Sequence, residues 1–174
     1  MIIPITIKFD PDSPGFLQFE KLTGKIETIA PGLLKNIGDA LLATTADRFD
    51  SQTAPDGSKW APLKPLTVMI RGSATPILRV SGELKDSVTR QVEGWSLRIG
   101  PNKVYAAAQQ FGATIEGSPL RIPLGKAAKG PAGNKRGAVF VQSVTLTPRP
   151  YIGVGPEDER AIQETSEDWF ALDG

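Results

Sequence analysis

Neither histidine nor cysteine occurs anywhere in the chain. Those two absences remove most of the common side-chain chemistry. Ser–His–Asp and Cys–His nucleophiles cannot be assembled, and the usual zinc ligand sets are missing. The side chain that titrates near neutral pH is not available as a general base. Disulfides are excluded too, which suits folding in a reducing cytoplasm. Carboxylates, lysines, tyrosines and hydroxyls remain. Asp56, Glu83 and Asp86 are the candidate acids, but no spacing pairs them, and each reads more simply as a turn or helix-cap residue. Neither the dinucleotide-binding glycine fingerprint nor the phosphate-cradling Gly/Lys/Ser loop is present. The chain therefore reads as a non-enzyme with no metal and no cofactor.

What the sequence offers instead is a distribution of charge. The net charge is only +1, so this is not a polycation made to coat nucleic acid. From Gly117 to Arg149, however, the charged residues are Arg121, Lys126, Lys129, Lys135, Arg136 and Arg149, with no acid among them. From Glu157 onward the acids are Glu157, Asp158, Glu159, Glu164, Glu167, Asp168 and Asp173, against Arg160 alone. A basic stretch is followed by an acidic one.

The elements that must position these charges can be read from periodicity. Ile2 to Phe9 alternates as a strand, and has neither the basic start nor the cleavage site of a secretory signal. Phe16 to Ile29 has helical spacing weakened by Gly24. Leu33, Leu34, Ile37, Leu41, Leu42, Thr45 and Phe49 predict the best amphipathic helix, from about Pro31 to Ser51. The two segments form either one long helix or two. Gly38 within the helix is either a tolerated glycine or a point of close backbone approach. Pro55-Asp56-Gly57 is a turn signal. Leu66–Arg71 reads as a short helix, and a second short helix starts near Ser81 as N-cap. Ser87–Val92 and Trp95–Ile99 read as a hairpin through Glu93-Gly94. Val104–Phe111 is a helix closed by Gly112, and Ala113–Glu116 a strand. Residues 117–138 read as a basic, mobile loop. Ala138–Thr147 alternates again. Pro156 then opens a last helix whose first turn carries Glu157, Asp158 and Glu159. With 174 residues, 40% of them apolar, the expectation is one α+β domain spanning residues 1–174. Its mainly antiparallel sheet would be packed by a long N-terminal helix and a C-terminal helix. No run approaches the roughly 18 apolar residues that would span a bilayer, so no membrane partner is expected.

Four pieces in order carry a resemblance. They are ADRFDSQTAPDGSKWAPL, ILRVSGELKDSV, VYAAAQQFGA and TPRPYIGVGPED before the last helix. Over about Leu33 to Ile162 this resembles the virion morphogenesis, or tail-completion, proteins of Mu-like and related tailed phages. Departures lie at Pro148-Arg149-Pro150-Tyr151, where the family usually has a Pro-Ala-Arg-Pro run and an aromatic residue, and in the longer, more basic 117–138 insert. The resemblance implies a structural virion protein at the head–tail junction, a tail terminator or neck subunit, made in the host cytoplasm. Its implied partners are further copies of itself in a ring, by resemblance a hexamer, together with the tail tube protein and head-neck proteins.

The residues singled out for contacts with a partner or subunit are Trp60, Arg121, Lys126, Lys129, Lys135, Arg136, Arg149 and Tyr151. Trp60 either closes the core where its loop folds back or anchors a neighbour. Arg149, between two prolines, is either part of a strand-edge turn or an exposed cation held rigidly for a subunit or phosphate. The basic loop from Arg121 to Arg136 has three readings. It is a solvated loop, a docking arm for an acidic surface such as the last helix of the next subunit, or a phosphate contact with DNA in the channel. The last of these makes a nucleic-acid-contacting assembly protein the alternative function.

Overall fold

A computed structural model of the chain describes residues 5–8, 26–123 and 138–172. Its architecture is α+β, with helices packed on two small antiparallel sheets. In chain order the elements are β1 (Ile5–Lys8), α1 (Ile26–Ser51), α2 (Pro65–Arg71), α3 (Glu83–Asp86), β2 (Val88–Glu93), β3 (Ser96–Pro101), α4 (Ala106–Phe111), β4 (Ala113–Pro123), β5 (Ala138–Leu146) and α5 (Pro156–Leu172). Residues 9–25 and 124–137 lie outside the described residues. Most of the predicted helix over 16–29 and the four loop cations Lys126, Lys129, Lys135 and Arg136 fall there.

The long helix α1 is the organising element. Leu34, Ile37, Leu41, Thr45 and Phe49 recur every three or four residues and are all buried. The helix begins at Ile26, so Pro31 stands inside it rather than in its first turn. There it forgoes one backbone hydrogen bond. The N-terminal half of the stripe, with Leu33, packs on Leu97 and Ile99 of β3. Gly38 settles as a close approach: a Cβ there would stand 2.5 Å from Cδ of Arg90 and 2.9 Å from a methyl of Leu97.

That three-stranded sheet has the order β1-β3-β2, with Ile5 opposite Ile99 and Val92 opposite Leu97. The predicted hairpin is β2–β3, its turn held by Gly94 at φ 54°. Helix α5 packs along the other side of α1, where the Trp169 ring lies over Gly32 and Ile162 and Trp169 join the same core. A second core lies at the C-terminal end of α1. It gathers Phe49, Ala54, Trp60, Ile77, Leu84, Ala106, Tyr151 and Ile152 from loops and short helices.

Two sequence expectations change. The short helix opens at Glu83, not Ser81, because Gly82 takes the cap position at φ 83°, where a side chain would be strained. Residues 117–123, expected as part of a loop, are strand, and the rest of that predicted loop lies outside the described residues. Strand β4 continues to Pro123, and Leu120 to Pro123 pair with Val141 to Ala138, after a register shift between Glu116 and Leu120. Glycine and proline hid the strand from a periodicity reading; pairing with β5 imposes it.

Candidate functional site

The Pro-Asp-Gly turn sets the first piece. Asp56 Oδ1 accepts from the Ser58 backbone N–H at 2.9 Å and from its hydroxyl at 2.6 Å. These bonds hold the Asp56 carboxyl below its usual range. Gly57 takes φ 82°. The loop folds back through Trp60 N–H to Gln52 O at 2.9 Å. Trp60 thereby lands edge-on against Phe49, with ring centroids 5.6 Å apart, and Phe49 meets Tyr151 at 5.2 Å.

Around these rings runs the segment from Thr147 to Asp158, which is not part of a sheet. Its backbone polar groups must still be satisfied once buried. Side chains from elsewhere do this. The Trp60 indole N–H donates to Pro150 O at 2.6 Å. Gln110 donates to Ile152 O at 2.6 Å, and its own oxygen accepts from the N–H groups of Tyr151 and Ile152 at 3.0 and 3.2 Å. The Tyr151 hydroxyl donates to Ala106 O at 3.2 Å, and burial raises its pKa above that of an ordinary phenol.

Arg149 points inward. It is 5% exposed and donates to Ala61 O and Pro62 O at 2.8 Å and to Thr147 O at 3.3 Å. Burial lowers its pKa from the usual guanidinium value. The reading of Arg149 as an exposed cation for a subunit or phosphate gives way to this one. All three contacts are backbone carbonyls of its own chain.

Past Tyr151 the chain meets α5 at a buried ion pair. Arg48 bonds Asp158, and both side chains are within the core, 7% and 1% exposed. Asp158 also accepts from Thr44 Oγ1 at 2.6 Å and from Gly155 N–H at 2.8 Å. Arg48 turns further N–H groups toward the carbonyls of Tyr151 and Gly153. Gly155 N–H to Asp158, with Asp158 N–H to Gly155 O at 2.9 Å, is a reciprocal cap on α5. The sequence hinted at this only through Arg48, a charge standing on the apolar stripe of α1.

The opposite kind of surface lies beside this segment. A groove of about 460 Å³ runs between α2 and β5, floored by Leu63, Leu66, Ile70, Leu78 and Tyr105 and walled by Ser143 to Thr147. Helix α2 itself has no buried residue. Around the groove, Val80 is 79% exposed, Tyr105 41% and Met69 44%; Val104 and Phe111 of the neighbouring α4 region are 89% and 63% exposed. Lys64 and Arg71 stand among the groove's lining residues. Lys64 Nζ donates to Thr145 O at 2.7 Å.

The predicted contact residues thus divide. Trp60, Arg149 and Tyr151 come together inside the subunit, around the 147–158 segment. Arg121 lies on β4, paired with Phe140. Lys126, Lys129, Lys135 and Arg136 lie outside the described residues. Sequence reasoning missed Arg48, Gln110, Asp158 and the groove, which is assembled from short segments far apart in the chain. Among the described residues no group of three His, Cys, Asp or Glu side chains is placed to hold a metal ion, and no helix is long and apolar enough to cross a membrane.

Comparison with known proteins points one way. The sequence model of the phage virion morphogenesis family matches residues 18–171. A similar protein, the Mu-like prophage FluMu G protein 2 of Haemophilus influenzae, is 26% identical over 159 residues, covering 88% of this chain and 91% of the relative. No solved structure matches the chain.

Proposed function

Because the chain belongs to the phage virion morphogenesis family, we propose that it is a non-enzymatic structural subunit that self-assembles into a ring at the head–tail junction. There it caps the tail tube as a tail-completion or terminator protein, or joins it to the neck. The observation that carries this reading is the unpartnered apolar surface around the groove. Val80 and Tyr105 line the groove and are large and exposed, and Val104 and Phe111, near Tyr105 in sequence, are exposed as well; exposed apolar surface of that kind marks an interaction site. A head-to-tail ring sets one face of a subunit against a different face of the next. The charge distribution fits such a contact, with Lys64 and Arg71 at the groove and the exposed acids Glu157, Glu159, Glu164, Glu167 and Asp168 along α5.

The test is the mass of the purified protein in solution, by light scattering, alone and with the cognate tail tube protein. A closed oligomer, alone or on the partner, is expected. A strict monomer in both states, together with heads and tails that still join without the protein, overturns the reading.

A further inference from the structure

Strands β4 and β5 pair only with each other among the described residues. A lone two-stranded sheet is marginal in water, and natural proteins guard exposed strand edges with charges, prolines and irregularities. The two strands are guarded unequally. Strand β4 carries Glu116, Gly117, Pro119, Arg121 and Pro123, with a register shift in its middle. Strand β5, Ala-Val-Phe-Val-Gln-Ser-Val-Thr-Leu, has no charge, no proline and no glycine.

The direction of the β5 edge can be read from one bond. Lys64 Nζ reaches the Thr145 carbonyl, so that peptide group faces away from β4. Backbone groups alternate along a strand with a period of two residues. Ser143, in unbroken register with Thr145 opposite Glu116 and Thr114, therefore also aims its N–H and carbonyl outward. Among the described residues β4 is the one strand beside β5, and outside that ladder no backbone group bonds the N–H of either residue. These outward groups form one wall of the apolar groove. An extended segment lying there would add main-chain bonds to β5 and set alternate side chains against Leu66, Ile70 and Tyr105.

We propose that the outer edge of β5, with the groove beside α2, receives an extended segment of a second copy of this chain by strand addition. The proposal rests on the ring reading and names the contact that would build it. Two things favour a second copy. The chain has further edges to give, since β1 and β2 are the outer strands of the other sheet. Its charges also complement themselves: Lys64 and Arg71 line the groove, while Glu157, Glu159, Glu164, Glu167 and Asp168 of α5, none of which lines it, face solvent. The incoming strand takes the Thr145 carbonyl from Lys64 and frees that ammonium for those acids.

The experiment uses the full chain in a concentration series by sedimentation and light scattering, with and without tail tube protein. Ser143→Pro removes an outward N–H and leaves the β4 ladder intact. Ile70→Asp places a charge in the groove on a helix with no buried residue. Each is expected to weaken self-association by about tenfold or more, while circular dichroism and thermal midpoint of the monomer stay near the parent values. Hydrogen exchange supplies a second readout. The amides of Ser143 and Thr145 slow on association, whereas Val144 and Leu146, facing β4, are protected beforehand. If the parent forms its oligomer and both variants match it, strand addition is overturned and the ring reading survives. If the parent is monomeric throughout, strand addition is overturned, and the ring reading falls with it when heads and tails also join without the protein. Loss of tail tube binding with unchanged self-association would assign the edge to another protein and overturn the second copy as occupant. Should Ser143→Pro fail to fold, Ile70→Asp and the exchange pattern decide.

Discussion

The segment from Thr147 to Asp158 and the hairpin before it, adjacent in sequence, leave their backbones in opposite conditions. The segment is irregular up to the start of α5, yet three side chains from other elements, Arg48, Trp60 and Gln110, bond its peptide groups, and its own Arg149 and Asp158 tie its two ends. The β4–β5 pair is sheet with one register shift, yet among the described residues the side-chain bond given to its outer β5 edge is the one from Lys64 to Thr145. Regular structure is therefore a poor guide to what is finished within one subunit. The irregular segment is held within the subunit, because the carbonyls of Pro150, Tyr151, Ile152 and Gly153 found side-chain donors. The strand is left open where a neighbour can complete it.

The contrast is broken most easily at the buried ion pair. Asp158→Ala leaves the Arg48 guanidinium buried without its acid and uncaps α5; a loss of about 3–5 kcal/mol is expected in urea unfolding. A double replacement, Arg48→Met with Asp158→Leu, should recover part of that loss, since a packed apolar pair avoids burying charge. A cost for Asp158→Ala below about 1 kcal/mol would show that the segment is not pinned there. Arg149→Met should cost about 2–3 kcal/mol, as three carbonyls lose a charged donor and only part of them can reach water. Gly155→Ala tests shape rather than charge. A Cβ there overlaps the Pro55 carbonyl, so the turn that carries Trp60 must shift, at about 1–3 kcal/mol. Thermal unfolding of the purified variants measures both.

Exposed pairs outside the segment should matter less and respond to pH in a defined sense. Arg90 bonds Asp39 and holds its carboxyl below the ordinary value of 3.8. A depressed folded pKa contributes stability that is present above the unfolded value and lost as pH falls through the folded one. Asp39→Asn is thus expected to lower stability at neutral pH by less than about 1 kcal/mol. Parent and variant curves should converge on acidification below pH 3.8. A difference that grows with acid would contradict the assignment.

How much of this was legible follows from the same contrast. The apolar stripe of α1, the β2–β3 hairpin and the acidic start of α5 are local patterns, so the sequence shows them directly. The run around Pro150 was recognisable as a motif, but its roles were not. Whether Arg149 points out or in depends on carbonyls at Ala61 and Pro62, 88 and 87 residues away. The Arg48–Asp158 pair spans 110 residues and leaves no periodic trace, beyond a charge where the stripe should continue. The strand content of 117–123 was masked by Gly117 and Pro119, which lower propensity without preventing pairing.

The smallest expected effect tests the other half of the comparison. Val80 and Phe111 are 79% and 63% exposed, so Val80→Ser and Phe111→Ser remove apolar surface that the subunit does not bury. Folding of the monomer should change by no more than about 0.5 kcal/mol, as for ordinary surface substitutions. Retained apolar side chains that do nothing for folding are costly to solubility, and both variants should therefore be more soluble than the parent at equal concentration. Joining heads to tails, assayed by complementing extracts that lack the protein, should fall all the same. If stability fell by as much as it does for Arg149→Met, these residues would belong to the subunit's own core. The division between a finished segment and an open surface would then fail.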